Sequence, residues 1–172
     1  TQIGVPLLET HTTKVHRFNL DGLVWCTDRT GPSSSYSQIY RNGIIEAVRN
    51  GIIFHHPDDK DKKVPQFATS DLDVLFHAFP SFLSGLRALG ISPPIWFFMT
   101  MVGMRGVRLP WRNHSPMTPF DRDTLWFPEL EIRDYNTGRS DTFLKPIIDM
   151  IWNAGGEARC PHYNERGEYN RS

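Results

Sequence analysis

"YRNGIIEAVRNGIIFHH" (residues 40–56) repeats five letters, Arg-Asn-Gly-Ile-Ile, at 41–45 and again at 49–53. Asn-Gly is a strong short-range hairpin signal, because a type I′ turn needs positive φ at both central residues, which Asn tolerates and Gly adopts freely. The flanking segments Ser37–Arg41, Ile44–Arg49 and Ile52–His55 are rich in Ile, Val, Phe and Tyr, so the pattern predicts three short antiparallel strands in a meander. A helix competes for Ile39, Tyr40, Ile44, Ala47 and Val48, but two interior glycines cost it about 2 kcal/mol relative to alanine. A phosphate loop needs clustered glycines opening a helix, usually followed by Lys-Ser/Thr, and the chain has no such pattern. The repeat is turn chemistry.

Working outward, Phe18–Thr27 alternates as a further strand, and "DRTGPSSS" (28–35) and "HHPDDKDKK" (55–63) are loops by composition. Ser70 followed by Asp73 is a variant capping box, and Asp71 adds negative charge to the first turn. Leu72, Leu75, Phe76, Phe79, Leu83, Leu86 and Leu89 then form one helical face, closed by Gly90 and Pro93-Pro94, with Pro80 expected to kink it. "IWFFMTMV" (95–102) is apolar on both alternating faces, which predicts a central strand covered on both sides. "RNHSPMTPFDRD" (112–123) is a Pro-rich loop. Leu125–Asp134 is strand-like, with Pro128 confining it to an edge or a bulge. Phe143, Leu144, Ile147, Ile148, Ile151 and Trp152 predict a second helix, regular from about Pro146 and ended by Gly155-Gly156.

These elements predict an α+β fold: a mostly antiparallel sheet of five to seven strands, including the Asn-Gly-linked meander, with two amphipathic helices packed on it. A single domain over residues 1–172 is expected, with 1–15 and 158–172 as peripheral tails. The 172 residues are enough to bury roughly two-thirds of the extended-chain surface. Nineteen basic and nineteen acidic side chains cancel, so no overall field steers the chain to nucleic acid or anionic lipid. The longest apolar run falls well short of the ~20 residues that span a bilayer, and no membrane partner is expected. Two cysteines, Cys26 and Cys160, are too few for a disulfide framework, and cytoplasmic localisation follows as the expectation. The start at Thr1 is what a fragment of something longer would show.

Candidate chemistry is sparse. Glu129 and Glu131, two apart on a strand and preceded by Asp121 and Asp123, form the one acidic set suited to Mg²⁺ or acid–base work, as in a metal-dependent hydrolase or nuclease. Arg133 stands where such a strand usually places lysine, and a solvent-facing edge is the favoured reading. Arg105, Arg108, Trp111 and Arg112 form the one concentrated basic stretch and are the alternative nucleic-acid surface. His55-His56 with Asp58, Asp59 and Asp61, and Cys160 with His162, are poor metal sets by spacing. Ser33–Ser35 lack a nucleophile elbow. Arg41 and Glu46 are placed for a cross-strand ion pair. No metal, cofactor or catalytic residue is assigned, and a non-enzymatic chain is favoured.

The order of "FNLDGLVW" (18–25), "SYSQIYRNGIIEAV" (35–48), "LRALGISPP" (86–94), "DRDTLWFPELEIRD" (121–134), "LKPIIDMIWNAGG" (144–156) and "HYNERGEY" (162–169) resembles the C-terminal region of bacterial proteins with an N-terminal Schlafen-AlbA-type domain. Those proteins are often described as ATP-binding or DNA-binding. In them the nucleotide or nucleic-acid role is attributed to the N-terminal domain, which lies outside these 172 residues, so no residue role carries over. The resemblance implies a cytoplasmic bacterial accessory module in phage defence or transcriptional control. It would sense or bind a protein partner, an upstream domain of the same polypeptide, or a small ligand. Nucleic acid and a homodimer are the weaker alternatives.

Overall fold

The computed structural model describes residues 15–26, 35–55, 64–110 and 117–170. Among them are ten short strands and two helices, an α+β chain that divides into two compact units. Residues up to Ile52 with Ser70–Pro93 form the first, and Ile53–Thr69 with Pro94 onward the second. The strands are shared among one four-stranded and three two-stranded antiparallel ladders, where the sequence predicted one larger sheet.

In the first unit β1 (Val15–Phe18), β2 (Gly22–Cys26), β3 (Ser35–Tyr40) and β4 (Ile45–Arg49) pair in chain order. The strand expected over Phe18–Thr27 is instead the second half of a hairpin. The Asn19 side-chain oxygen accepts from the backbone N–H of Asp21 (3.0 Å) and Gly22 (2.8 Å), turning the chain before β2 begins. The first Asn-Gly makes its hairpin, with a longer loop in place of the expected two-residue turn. Tyr40 donates its N–H to the Ile44 carbonyl (2.8 Å) and accepts from the Gly43 N–H (3.0 Å), leaving Gly43 in the left-handed region at φ 87°.

The second Asn-Gly does not extend the meander. β5 (Ile53–His55) pairs with β6 (Pro65–Phe67) in the second unit, so Asn50-Gly51 lies where the chain leaves the first unit. Turn chemistry fixed that a corner occurs, and the partner was decided by a strand further along the chain.

Helix α1 (Ser70–Ala88) carries Pro80 in its interior. Its Phe82 packs on the buried pair Trp25 and Ile39 of the four-stranded sheet, against which Leu23 and Ile45 also pack. Asp71 in its first turn pairs with Arg49 of β4. The helix ends in a Schellman motif: Ile91 N–H donates to Leu86 O (3.1 Å), Gly90 N–H to Arg87 O (3.0 Å), and Gly90 takes φ 75°.

In the second unit β7 (Ile95–Phe97) pairs with β10 (Leu130–Ile132), and β8 (Thr100–Met101) with β9 (Leu125–Trp126). Helix α2 (Ser140–Ala154) begins before Pro146, earlier than the sequence suggested. Its first turn is anchored by Asp141, whose carboxylate accepts from Arg139, from the Thr142 N–H (2.9 Å) and from the Tyr169 N–H (2.9 Å). Leu144, Ile147, Ile148, Ile151 and Trp152 are its buried stripe. Gly155 abuts Leu109, and a β-carbon there would lie 2.7 Å from Leu109 Cδ1.

The polar segment after α2 is packed. Cys160 is fully buried, its N–H donating to Asp149 (2.9 Å), and Tyr163 OH donates to the Asp141 carbonyl (2.7 Å). His162 lies edge-on to Trp152 and beside Tyr169. Cys26 and Cys160 are buried and not joined by a disulfide, and burial pushes the Cys160 thiol up to about 11. Among the described residues no helix is long and apolar enough to cross a membrane.

Candidate functional site

The apolar run 95–102 is not covered on both faces. Burial alternates along it: Ile95, Phe97, Met99 and Met101 turn inward, while Trp96, Phe98, Thr100 and Val102 face out. Trp96 is 51% exposed, Phe98 71% and Val102 67%. An unbroken apolar run cannot reveal which alternate set is buried. The structure supplies that choice, and it leaves rings in water.

The partner strand extends this outer face through a bulge. Trp126 lies opposite Thr100, and the Phe127 N–H donates to the Met99 carbonyl (3.4 Å). Leu130 then lies opposite Phe97 and Glu131 opposite Trp96. Pro128 and Glu129 together therefore oppose the single residue Phe98, which is a β-bulge. Proline, having no N–H to give the ladder, is tolerated there. The bulge shifts the side-chain alternation by one. Trp126 and Glu131, an odd number of residues apart, would lie on opposite faces of a regular strand but here share the outer one. Trp126 is 75% exposed.

The result is a stripe of three aromatic rings, Trp96, Phe98 and Trp126, edged by Pro128, Glu129 and Glu131. Glu131 is held by Arg133 Nε at 2.9 Å, an exposed pair. Segment 121–134 carries five carboxylates against two guanidiniums, whereas 95–102 is uncharged. The stripe is thus apolar with an acidic margin, on a chain that is neutral as a whole.

The acidic set is not assembled into a metal centre. Asp121, Asp123 and Glu129 are exposed, with Arg122 beside Asp121, and Glu131 is held by Arg133 on the stripe. Among the described residues no group of three or more His, Cys, Asp or Glu is placed to hold a metal ion. Of the basic set, Arg105 donates to the Asp121 carbonyl (2.8 Å) and Arg108 to the Met117 carbonyl (2.6 Å). Trp111 and Arg112 lie outside the described residues, as do Ser33, Ser34, His56, Asp58, Asp59 and Asp61. Cys160 and His162 are committed to the packing around α2.

The expected Arg41–Glu46 pair gives way to other partners. Arg41 Nε donates to the Leu20 carbonyl (3.0 Å). Glu46 lies opposite Gln38 and accepts from the hydroxyls of Tyr36 and Tyr40, which flank Gln38 on the same face. The Glu46 hydrogen bond, with burial and the carboxylate's charge, pushes the Tyr36 phenol up to about 12.

These features define an α+β chain with an exposed aromatic stripe and no metal cluster among the described residues. No family model, curated protein or solved structure matches it.

Proposed function

We propose that the chain is a non-enzymatic interaction module, an accessory region of the kind found C-terminal to bacterial Schlafen-AlbA-type domains, which regulates a partner domain in phage defence or transcriptional control. The observation that carries this reading is the aromatic stripe. Contiguous exposed apolar patches of a few hundred Å² on a soluble fold are commonly binding surfaces. Asp121 lies beside Arg122 and Glu131 is paired with Arg133, which supports a binding role over hydrolysis.

Native mass spectrometry of the chain isolated from its own cells tests the reading, with a Phe98→Ser/Trp126→Ser variant alongside. A stoichiometric protein partner retained by the parent and lost from the variant is the expected result. Nucleotide or nucleic-acid hydrolysis that disappears with Asp123→Asn or Glu129→Gln contradicts it.

A further inference from the structure

We infer that the stripe Trp96–Phe98–Trp126 docks a short extended peptide carrying Lys or Arg at alternate positions. This inference rests on the interaction-module reading and names the partner's chemistry.

Spacing comes first. Trp96 and Phe98 are two residues apart on one strand face, about 6.6 Å, and Trp126 continues the row beside Thr100. An extended peptide presents its own alternate side chains at the same interval, so its cations meet successive rings in register.

Charge comes second. Aromatic faces are negative and attract ammonium and guanidinium groups. Glu129 and Glu131 border the rings, and although Arg133 pairs with Glu131 the margin is acidic on balance. The same carboxylates oppose phosphates, which disfavours nucleic acid, and Arg105 and Arg108 are turned to backbone carbonyls.

Area comes third. A ring residue offers roughly 150–250 Å², so at the observed exposures the stripe presents on the order of 450 Å². A standard protein interface needs about 800 Å² per partner. The stripe is too small to hold a second copy of this chain face to face. It fits a short segment.

The test is fluorescence anisotropy of a labelled Lys-Thr repeat peptide, a little longer than the stripe, titrated with the whole chain at low salt. Binding is expected, weakening as salt rises, and weakening about two- to fivefold in Trp126→Ser, the loss of one exposed cation–ring contact. Glu129→Gln/Glu131→Gln should weaken it by a similar factor. Trp126 and Glu129 are exposed and Glu131 is half-buried beside Arg133, and circular dichroism confirms the fold of both variants. Equal affinity for a Glu-Thr repeat peptide or a thymidine oligonucleotide overturns the inference, as does an affinity unchanged by Trp126→Ser. Failure of the basic peptide while a cellular partner is still lost with Phe98→Ser/Trp126→Ser overturns the charge assignment alone. Retention of that partner by the variant overturns the interaction surface itself.

Discussion

Replacing Gly22 by alanine should damage the first unit more than a glycine substitution on an open turn. Gly22 opens β2 opposite Tyr40, and a β-carbon built there lies 1.9 Å from the Ile39 carbonyl oxygen, 3.0 Å from its carbon and 3.2 Å from Tyr40 Cα. All three atoms are backbone, so no rotamer change relieves the overlap. Restoring an ordinary contact means moving β3 by about 1 Å or more at this end, on a ladder whose strands are about 4.8 Å apart. That displacement costs one or two ladder hydrogen bonds, about 1 kcal/mol each. It also loosens Trp25 and Ile39 against Phe82. The total is about 3 kcal/mol, or a melting point lowered by roughly 6–12 °C for a chain of this length. Gly51 is the control, because it has φ 78° but nothing within 4 Å of its would-be β-carbon. Gly51→Ala costs only the left-handed backbone, about 1–2 kcal/mol. Thermal unfolding followed by circular dichroism compares the two. A Gly22→Ala melting point equal to or above that of Gly51→Ala would refute the steric reasoning.

Further outcomes follow from packing and ionisation. Ile148→Ala, in the fully buried stripe of α2, should cost about 3 kcal/mol in urea unfolding, whereas Trp126→Ser should change stability by no more than about 0.5 kcal/mol. Burial pushes the Asp141 carboxyl up, but the Arg139 guanidinium and the N–H groups of Tyr169 and Thr142 outweigh it, so it ionises below the ordinary carboxylate range. A depressed carboxyl stabilises the fold above its unfolded pKa, about 4, and that stability is lost as pH falls through the lower folded value. Asp141→Asn should therefore flatten the acid limb of a plot of urea midpoint against pH, and an unchanged limb counts against the network. For Tyr36 the sign reverses, since a raised phenol stabilises fully below its unfolded pKa of about 10 and loses that contribution as pH rises toward about 12. Tyr163 is raised by burial independently of Glu46, so Glu46→Gln should return part, and not all, of the late-titrating tyrosinate absorbance toward the ordinary range.

Local chemistry was legible where it closes on itself. Gly90 and the Gly155-Gly156 pair ended their helices as read, because a helix C-cap is completed within a few residues. Pro128 marked its bulge for the same reason: the missing N–H is a property of one residue. Asn50-Gly51 misled because a turn residue says how a chain bends, not which strand will pair beyond the bend. Ile95–Val102 misled because nearly every letter is apolar, so the period carries no phase. Its phase is set by Met101 and Leu125 turning inward together. The aromatic stripe was hidden twice over, since the bulge moves Trp126 onto the face of Glu131 and ordinary alternation separates them.

The five tryptophans give the most direct test of the central claim. In a ¹H–¹⁵N spectrum each indole N–H gives one peak, and Trp25 and Trp152 are buried while Trp96 and Trp126 lie on the stripe. Adding the Lys-Thr repeat peptide should move the Trp96 and Trp126 peaks together, with the Trp25 and Trp152 peaks fixed. Stationary Trp96 and Trp126 peaks, or shifts confined to Trp25 and Trp152, would contradict the stripe as the docking surface.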